Sequence, residues 1–429
     1  MSEVPAANSG IDQPTRYRAI LGNNELVAIL AARFLSGIGD QAARAVLALY
    51  VLDKSGGDAL LAALVLAVSY VPSTFGFAFL GSLADRYPRR TVMLVSDVAR
   101  SLLIGVLALA VTFDSSYWVV IGILLAAETF SAPALSARSS LMPQAARTPA
   151  EYQAVVGLGN TFDQTVQVLG FLIGGIAVGL TSAGFALFFD AITFLISFLL
   201  VLAFVVHREP TAAHGTNFRR LVRDLRGGLR TTMKTPSIRA VVLLLWATAA
   251  LLVATDAVAL PYAASIGAEP WQATMLLAAT PAGAAIGSLL VARLPIGQQI
   301  RLVFPLAFAS TIPMLVTALE PGLVPAGLLW LVAGLCQGYV VTLMALTMQL
   351  TPEQRRGRVF GVAGAGFNTM AIVGLVGLGA IAATTSPAAA LVLAGALGLL
   401  VVTLAALLWP RRDVRAAVRV SYGATSRSI

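Results

Sequence analysis

The chain has 429 residues, of which 58% are hydrophobic and only 11% are charged. Soluble domains contain roughly 45–50% apolar and about 25% charged residues, so this composition excludes a chain of soluble domains. The one cysteine, Cys336, and the two histidines of a single polar loop form no metal-binding cluster. We therefore expect neither a metal nor a cofactor.

Apolar runs bounded by charged residues, glycine or proline predict twelve helical spans of about 20 residues each or longer. In chain order they cover residues 24–50, 59–80, 92–112, 117–141, 153–180, 185–206, 239–264, 271–292, 302–319, 324–350, 359–383 and 387–409. The predicted fold is an all-α polytopic membrane protein with two six-helix halves, residues 23–206 and 239–410. A cytoplasmic tail, residues 1–22, precedes them, residues 207–238 link them, and a basic tail, residues 411–429, follows.

The basic residues lie almost entirely on one side of the predicted spans. If the N-terminus is cytoplasmic, 25 of the 29 Lys and Arg residues fall on inner segments, and the outer loops hold only Lys54. This asymmetry is a strong positive-inside signal, which predicts cytoplasmic termini. Because arginine far outnumbers lysine, as in GC-rich bacterial genomes, we expect a bacterial inner membrane. Anionic lipid then accounts for the net charge of +9 without a nucleic-acid partner.

The central linker carries an amphipathic pattern. From Phe218 to Leu229 apolar residues repeat at helical spacing, and arginines occupy the other face. This pattern predicts an amphipathic helix that lies on the inner leaflet. A solvated linker without a fixed position is the alternative.

Short patterns recur in the two halves at similar offsets. Gly81-Ser82-Leu83 recurs as Gly287-Ser288-Leu289, and Asn160-Thr161 recurs as Asn368-Thr369. Repeats of this kind, related by an axis normal to the membrane, are one architecture of secondary transporters. The repeats therefore indicate two halves built on one plan.

The segment between predicted spans 2 and 3 reads Gly81-Ser-Leu-Ala-Asp85-Arg86-Tyr-Pro-Arg89-Arg90. It resembles the loop 2–3 signature of the major facilitator superfamily, G-x-L-a-D-R-x-G-R-R. The resemblance implies a twelve-helix transporter that works by alternating access. It also implies that Asp85 engages the N-terminal end of span 11 and stabilises the outward-open state, since a carboxylate is favourable at a helix N-terminus.

Two further segments extend this resemblance. They are VMLVSDVAR, which contains Asp97 and Arg100, and RRGRVFGVAGAG at span 11. Both resemble the enterobactin-exporter and macrolide-efflux branch of the superfamily. Asp97 and Arg100 are three residues apart on one helix, and we interpret them as a structural pair near the inner surface.

Ionisable residues inside the predicted spans are candidate functional groups. On span 1, Arg33, Asp40 and Arg44 are spaced by seven and four residues, so they share one helix face. We predict that Asp40 titrates against Arg33 or Arg44 and couples proton binding to conformation. A permanent ion pair that joins helices is the alternative.

Other embedded polar residues are candidates for the substrate cavity. Glu128 and Asp163 lie about twelve residues into spans 4 and 5, and Asp256 is the embedded acid of the second half. A polar stripe on span 5 is expected to face the cavity, with hydrogen bonding between helices as the alternative. The stripe and its second-half counterpart consist of Asn160, Asp163, Gln164, Gln167 and Asn368.

These features predict a transporter of a small molecule and not an enzyme, because no nucleophile, base and orienting group occur together. The first hypothesis is proton-driven export of an amphiphilic organic compound, such as a drug, a siderophore or a secondary metabolite, by a monomer. One alternative is a proton-coupled symporter that takes up a nutrient. Another is a lysolipid carrier.

Overall fold

The structure is a computed structural model that describes residues 20–72, 74, 87–209 and 218–410. Within these ranges the chain is helical and contains no strand. The motif residues Gly81, Asp85 and Arg86 lie outside the described residues, as do residues 1–19 and 411–429. The side chain of Asn160 is also outside the described set.

The first half contains seven helices among its described residues. They are α1 (Asn24–Lys54), α2 (Ala59–Val68), α3 (Arg89–Thr112), α4 (Tyr117–Thr129), α5 (Ser131–Ala145), α6 (Pro149–Leu180) and α7 (Ala183–Phe204). Polar residues cap several of their N-termini, as when Asp58 accepts hydrogen bonds from the backbone of Leu60 and Leu61. These caps explain why the helices begin close to the predicted positions.

The linker helix and the second half follow in the same way. Their helices are α8 (Phe218–Lys234), α9 (Pro236–Leu252), α10 (Ala254–Ser265), α11 (Pro270–Ala292), α12 (Ile296–Thr317), α13 (Leu323–Cys336), α14 (Tyr339–Gln349), α15 (Arg356–Thr384) and α16 (Pro387–Leu408). A short 3₁₀ turn, Glu353–Arg355, precedes α15.

Eleven helical segments of the described chain are long and apolar enough to cross a bilayer. Three of them join two helices each: α4 with α5, α9 with α10 and α13 with α14. Helix α2 is a shorter apolar helix that begins the second predicted span, of which residues 73 and 75–80 lie outside the described residues. The predicted all-α polytopic fold is confirmed.

The two ends of the bundle differ in how their apolar cores are arranged. We call the end at which α1 begins and α8 lies the loop face, and the opposite end the far face. At the far face one buried cluster contains residues of both halves, including Val51 of α1, Ala259 of α10 and Leu378 of α15. Towards the loop face each half has its own cluster. The halves are therefore packed together at the far face.

Small residues allow this close approach. Gly175 of α6 lies against α11, and a Cβ atom added to it would stand 1.7 Å from Thr274 Oγ1. On the other flank, Gly379 of α15 lies against α2, where an added Cβ would stand 2.6 Å from the Ala63 Cβ. A larger side chain at either position would force the halves apart at the far face.

The linker forms the helix that its amphipathic pattern predicts. Helix α8 packs against the beginning of α15, where Gly228 lies against the Arg358 carbonyl group and the Val362 side chain. The linker therefore contacts the second half directly. Its predicted position on a lipid surface remains a prediction.

Candidate functional site

Four charged side chains form a chain of ion pairs in the first half, of which Arg100 and Glu128 are buried and Asp40 and Arg44 are partly buried. Arg100 Nη2 of α3 donates a hydrogen bond of 2.7 Å to Asp40 Oδ1 of α1, and it lies 3.6 Å from Glu128 Oε2 of α4. Arg44 Nη2 of α1 donates to Glu128 Oε1 at 3.2 Å. The order Asp40–Arg100–Glu128–Arg44 thus alternates in charge, which makes its burial tolerable.

Asp190 of α7 is the fifth charged member of this group. Its Oδ1 atom accepts a hydrogen bond of 3.1 Å from Thr193 Oγ1, and the residue is only 1% exposed. The charges of Asp40, Arg100 and Glu128 all act on it. We call Asp40, Arg44, Arg100, Glu128 and Asp190 the charge cluster.

Gly39 brings α7 close enough for Asp190 to join the cluster. A Cβ atom added to Gly39 would stand 2.0 Å from Asp190 Oδ1 and 2.5 Å from Thr193 Oγ1. Only glycine therefore fits between Asp40 and its neighbours on α7. The Gly39-Asp40 pair in the sequence was a signal of this close approach, although it did not identify Asp190 as the group on the other side.

Arg100 is held by an aromatic ring as well as by carboxylates. Its guanidinium carbon lies 4.3 Å from the centroid of the Phe194 ring, one helical turn beyond Asp190. A cation over an aromatic face is attracted to it, and more strongly away from water. Arg100 therefore contacts groups on α1, α4 and α7 from its position on α3.

The partner predicted for Asp40 is wrong. We expected Arg33 or Arg44, but the structure pairs Asp40 with Arg100. Helical spacing identified the residues that share a face of α1, but not the helix that each of them meets. Arg44 lies one turn further along α1 and reaches Glu128 instead.

The predicted pair of Asp97 and Arg100 is also absent. Asp97 Oδ2 accepts a hydrogen bond of 2.8 Å from Ser197 Oγ of α7, and the charge of Arg138 acts on it. A partly buried carboxylate on a neighbouring helix, Asp40, competes for Arg100 and binds it more directly than Asp97 of its own helix does. Arg100 is thus a member of the charge cluster.

Arg33 binds a second acid, and this pair is accessible. Arg33 donates from Nε at 3.0 Å and from Nη2 at 2.6 Å to Asp163 Oδ1 of α6. The Asp163 side chain is 52% exposed, although it lies about 21 Å along α6 from Pro149 at a rise of 1.5 Å per residue. An exposed charge at this depth must face either lipid or water, and lipid is unfavourable for it, so we infer a water-filled cavity between the halves.

The cavity opens towards the loop face, because the halves are packed together at the far face. Gln164, the residue after Asp163 on α6, and Gln167, one helical turn beyond Asp163, are half-buried. Asn368 of α15 is half-buried as well. The amides therefore lie partly within the packed bundle, whereas Asp163 is the exposed acid of the stripe.

A tyrosine lies within electrostatic range of both the charge cluster and the second half. Tyr70 follows α2, and the charges of Arg44 on α1 and of Asp256 on α10 both act on its hydroxyl group. Asp256 is half-buried in the membrane-spanning part of the second half. Tyr70 thus stands between the basic end of the charge cluster and the embedded acid of the opposite half.

The described basic residues of the loop 2–3 motif occupy the start of α3. Arg89 begins the helix, and Arg90 Nη2 donates a hydrogen bond of 2.6 Å to the Leu202 carbonyl group near the end of α7. Arg90 therefore ties α3 to α7 at the loop face. In the described part of the chain, no group of three or more His, Cys, Asp and Glu residues could hold a metal ion.

Comparison with known proteins gives one family and one group of relatives. The sequence profile of the Major Facilitator Superfamily matches residues 29–338. The multidrug efflux pump Tap of Mycobacterium bovis (strain BCG / Pasteur 1173P2) is 26% identical over 348 residues, which cover 78% of this chain and 81% of that protein. The pump of the same name from Mycolicibacterium fortuitum is 25% identical over 353 residues, covering 79% and 84%.

Solved structures share the fold at low sequence identity. The crystal structure of the nucleoside transporter NupG superposes with a TM-score of 0.71 and 12% identity, covering 90% of this chain and 99% of that one. A POT family transporter in complex with 5-aminolevulinic acid superposes with a TM-score of 0.69 and 13% identity, covering 90% and 96%. These similarities concern the arrangement of helices.

Proposed function

The chain belongs to the Major Facilitator Superfamily, and from that membership we propose that it exports small amphiphilic organic compounds in exchange for protons. The substrate class is supported by the relatives named multidrug efflux pumps. It is also supported by the exposed pair of Asp163 and Arg33, which gives the cavity a polar site within an apolar bundle. Such a cavity favours lipophilic compounds, and a cationic compound can pair with Asp163 in place of Arg33.

The proposal of proton coupling rests on one observation, which is that the charge cluster lies within the membrane-spanning part of the first half. Asp40 is the proposed coupling residue, because it is accessible for 18% of its side chain whereas Glu128 is accessible for only 3%. Protonation of Asp40 would release Arg100 from its hydrogen bond and change the pairing of every other member. A change of this kind can shift an equilibrium between two conformations.

The remaining candidate residues divide into two proposed roles. The first role is contact with substrate or protons in the cavity. In the first half it is assigned to Arg33, Asn160, Asp163, Gln164 and Gln167, and in the second half to Asp256 and Asn368. The second role is control of the conformation. It is assigned to the loop 2–3 motif and the start of α3, namely Gly81, Asp85, Arg86, Arg89, Arg90 and Asp97. Arg90 supports this division, because it binds the end of α7 and not the cavity.

We also propose an orientation and a location. The loop face lies in the cytoplasm of a bacterial cell, since 25 of the 29 Lys and Arg residues fall on the segments that the sequence predicts to be on the inner side. The conformation is then open to the cytoplasm and closed to the outside. Anionic lipid binds the arginines of α8, and a monomer suffices because one chain supplies both halves.

The experiment uses purified protein in proteoliposomes with an imposed pH gradient. A lipophilic cationic dye should accumulate in the acidic compartment, and a protonophore should abolish the accumulation. Equal dye movement with and without the gradient would contradict proton coupling. A matched variant, Asp114→Asn, should behave as the wild type, because Asp114 lies at the far face outside the cavity.

A further inference from the structure

We propose that Asp190 is the proton-binding site of the charge cluster and that it holds a proton in the conformation in which the halves are packed together at the far face. The inference rests on the proposed exchange of substrate for protons. It goes beyond it by naming the group that carries the proton while Asp40 is ionised and paired.

The charge balance of the cluster requires one proton. Its three carboxyl groups face only two guanidinium groups, so full ionisation would leave one uncompensated negative charge. The adjoining pair of Asp97 and Arg138 balances itself. An uncompensated charge is strongly disfavoured away from water, and one bound proton removes it.

The hydrogen bonds identify Asp190 as the acid that binds the proton. Asp40 and Glu128 each receive a guanidinium group, which stabilises the ionised form. Asp190 receives only the Thr193 hydroxyl group, and its Oδ2 atom is buried without a hydrogen-bond partner among the described residues. Of the three carboxyl groups, Asp190 therefore gains least from ionisation.

The groups that face Asp190 come from three neighbouring helices. They are Asp40 of α1, Arg100 of α3 and Glu128 of α4, with Thr193 on its own helix. Two of these three charged groups are acids, and the one cation, Arg100, already binds Asp40. The surroundings as a whole therefore oppose a negative charge on Asp190.

A second arrangement of the same groups explains how the proton could leave. Arg100 Nε is buried without a partner among the described residues, as is Asp190 Oδ2, and the charges of the two residues act on each other. If the Asp190 O–H bond breaks and its proton binds the Asp40 carboxylate, Arg100 can leave Asp40 and pair with Asp190. The net charge is the same in both arrangements.

Accessibility gives this exchange a direction. Asp40 is partly accessible, whereas Asp190 is sealed by Gly39 and α7. A proton held by Asp190 therefore reaches water through Asp40, and Arg100 acts as the switch between the two acids. Asp40 remains the coupling residue, and Asp190 is the site at which the proton is stored.

Infrared spectroscopy of the purified full-length protein tests the proposal directly. A protonated carboxyl group has a carbonyl stretching band that is separate from the bands of carboxylates and amides. At neutral pH the wild type should show this band, Asp190→Asn should lose the intensity of one carboxyl group from it, and Asp114→Asn should retain the full intensity. Because Asp256 is a second embedded acid that can contribute to the band, the readout is the difference between the spectra of the wild type and Asp190→Asn. Absence of the band from the wild type, or equal intensity in Asp190→Asn, would overturn the proposal.

A second variant tests the charge argument even if Asp190→Asn does not fold. Asp40→Asn removes the surplus negative charge and frees Arg100, so Asp190 should ionise and the band should lose the same intensity here too. A band of wild-type intensity in Asp40→Asn would show that the charge balance does not set the protonation of Asp190.

A transport measurement separates this proposal from the proposed function. In proteoliposomes, Asp190→Asn should bind the dye, but its pH-driven dye accumulation should be at least tenfold lower than that of the wild type. If the variant accumulates dye as the wild type does, the role of Asp190 is refuted and proton-coupled export stands. If the wild type itself shows no pH-driven accumulation, the proposed function fails whatever the infrared result.

Discussion

At the scale of single residues, the first half concentrates its embedded charges where helices α1, α3, α4 and α7 meet. Breaking a buried pair by removing one partner is typically destabilising by about 3–5 kcal/mol, because the other charge is left alone. Arg100 is protected from this outcome, since it contacts Asp40 and Glu128 and also lies on the Phe194 ring. The cluster can therefore lose one acid and still fold.

This redundancy makes Asp40→Asn an informative variant. We expect normal expression, retained dye binding and retained dye exchange, but loss of pH-gradient-driven accumulation, because the residue can no longer gain and lose a proton. The measurement is dye flux in proteoliposomes with and without a gradient. Retained pH-driven accumulation would move the coupling role to Glu128, Asp163 or Asp256. Failure to fold would support a purely structural ion pair.

An exposed pair at the far face gives a prediction about pH. Lys54 at the end of α1 donates hydrogen bonds to the carboxylate and the carbonyl group of Asp114, and the side-chain bond lowers the pKa of the Asp114 carboxyl group. A carboxyl group with a lowered pKa adds stability above its unfolded-state pKa and loses it as the pH falls through the folded-state pKa. The gain is small, because exposed pairs contribute little.

The corresponding measurement compares melting temperatures of the wild type and Asp114→Asn across pH. Asparagine suits this position because Asp114 has a positive φ of 53°, which asparagine also tolerates. A small difference in favour of the wild type should be constant near neutral pH and vanish on acidification. A difference that grows with acidification would have the wrong sign.

The individual residues show how far the sequence alone could lead. Depth in an apolar span sufficed to identify Asp40, Glu128 and Asp163 as candidates, since charges are rare there. Their partners could not be predicted, because pairing depends on which helices are neighbours and on small residues such as Gly39. Asp190 could not be singled out for the same reason, since nothing in the sequence of α7 reveals that Asp40 lies opposite.

At the scale of helices, close contacts at the far face depend on glycine, which has no side chain. Gly175→Ala should destabilise the conformation in which α6 and α11 touch. The added Cβ would meet the Thr274 Cβ at 2.8 Å as well as its Oγ1, so rotation of Thr274 alone does not relieve the clash. Overpacking of this kind typically amounts to about 1–3 kcal/mol. That energy shifts an equilibrium about 5- to 150-fold towards the conformation open at the far face.

Energy transfer between dyes attached across the far face measures this shift, in a background with Cys336 replaced. Gly122→Ala is the matched control, because no atom of the described chain lies within 4 Å of a Cβ added there. The far-face distance should increase in Gly175→Ala and be unchanged in Gly122→Ala. Equal distances in all three proteins would contradict the closure at Gly175.

The linker helix can be tested outside the bundle. A peptide covering residues 216–234 should be helical with anionic vesicles and unstructured with neutral ones, because each arginine contributes about 1 kcal/mol near anionic lipid. Circular dichroism measures the helix content. Coil in both kinds of vesicle would mean that packing against α15, and not lipid, holds α8 in its helical form.

The helices themselves were largely predictable, because hydrophobicity and length determine a membrane span. The sequence did not predict that spans 4, 7 and 10 each divide into two helices, near Phe130, Val253 and Gln337. Local breaks in a helix depend on tertiary packing, and the apolar composition continues across each of these breaks. The length of α1, which extends to Lys54, reflects the tie to Asp114 beyond its predicted end.

At the scale of the whole molecule, the arrangement of the apolar clusters corresponds to one of the two conformations that alternating access requires. One apolar cluster joins the halves at the far face, whereas two separate clusters lie towards the loop face. The sequence could predict two similar halves from its repeats, but not which face is closed, because both conformations use the same residues. In the proposed orientation, substrate enters from the cytoplasm and protons enter after the halves rock to open the far face.

The most direct test of proton exchange imposes a dye gradient and no pH gradient. Proteoliposomes loaded with the dye and a trapped pH indicator are diluted into dye-free buffer. Exchange predicts that dye leaving the vesicles drives protons inwards and acidifies the lumen, and that Asp40→Asn shows dye exchange without acidification. Alkalinisation of the lumen would mean that dye and proton move together, and an unchanged lumenal pH would mean that dye transport is not coupled to protons.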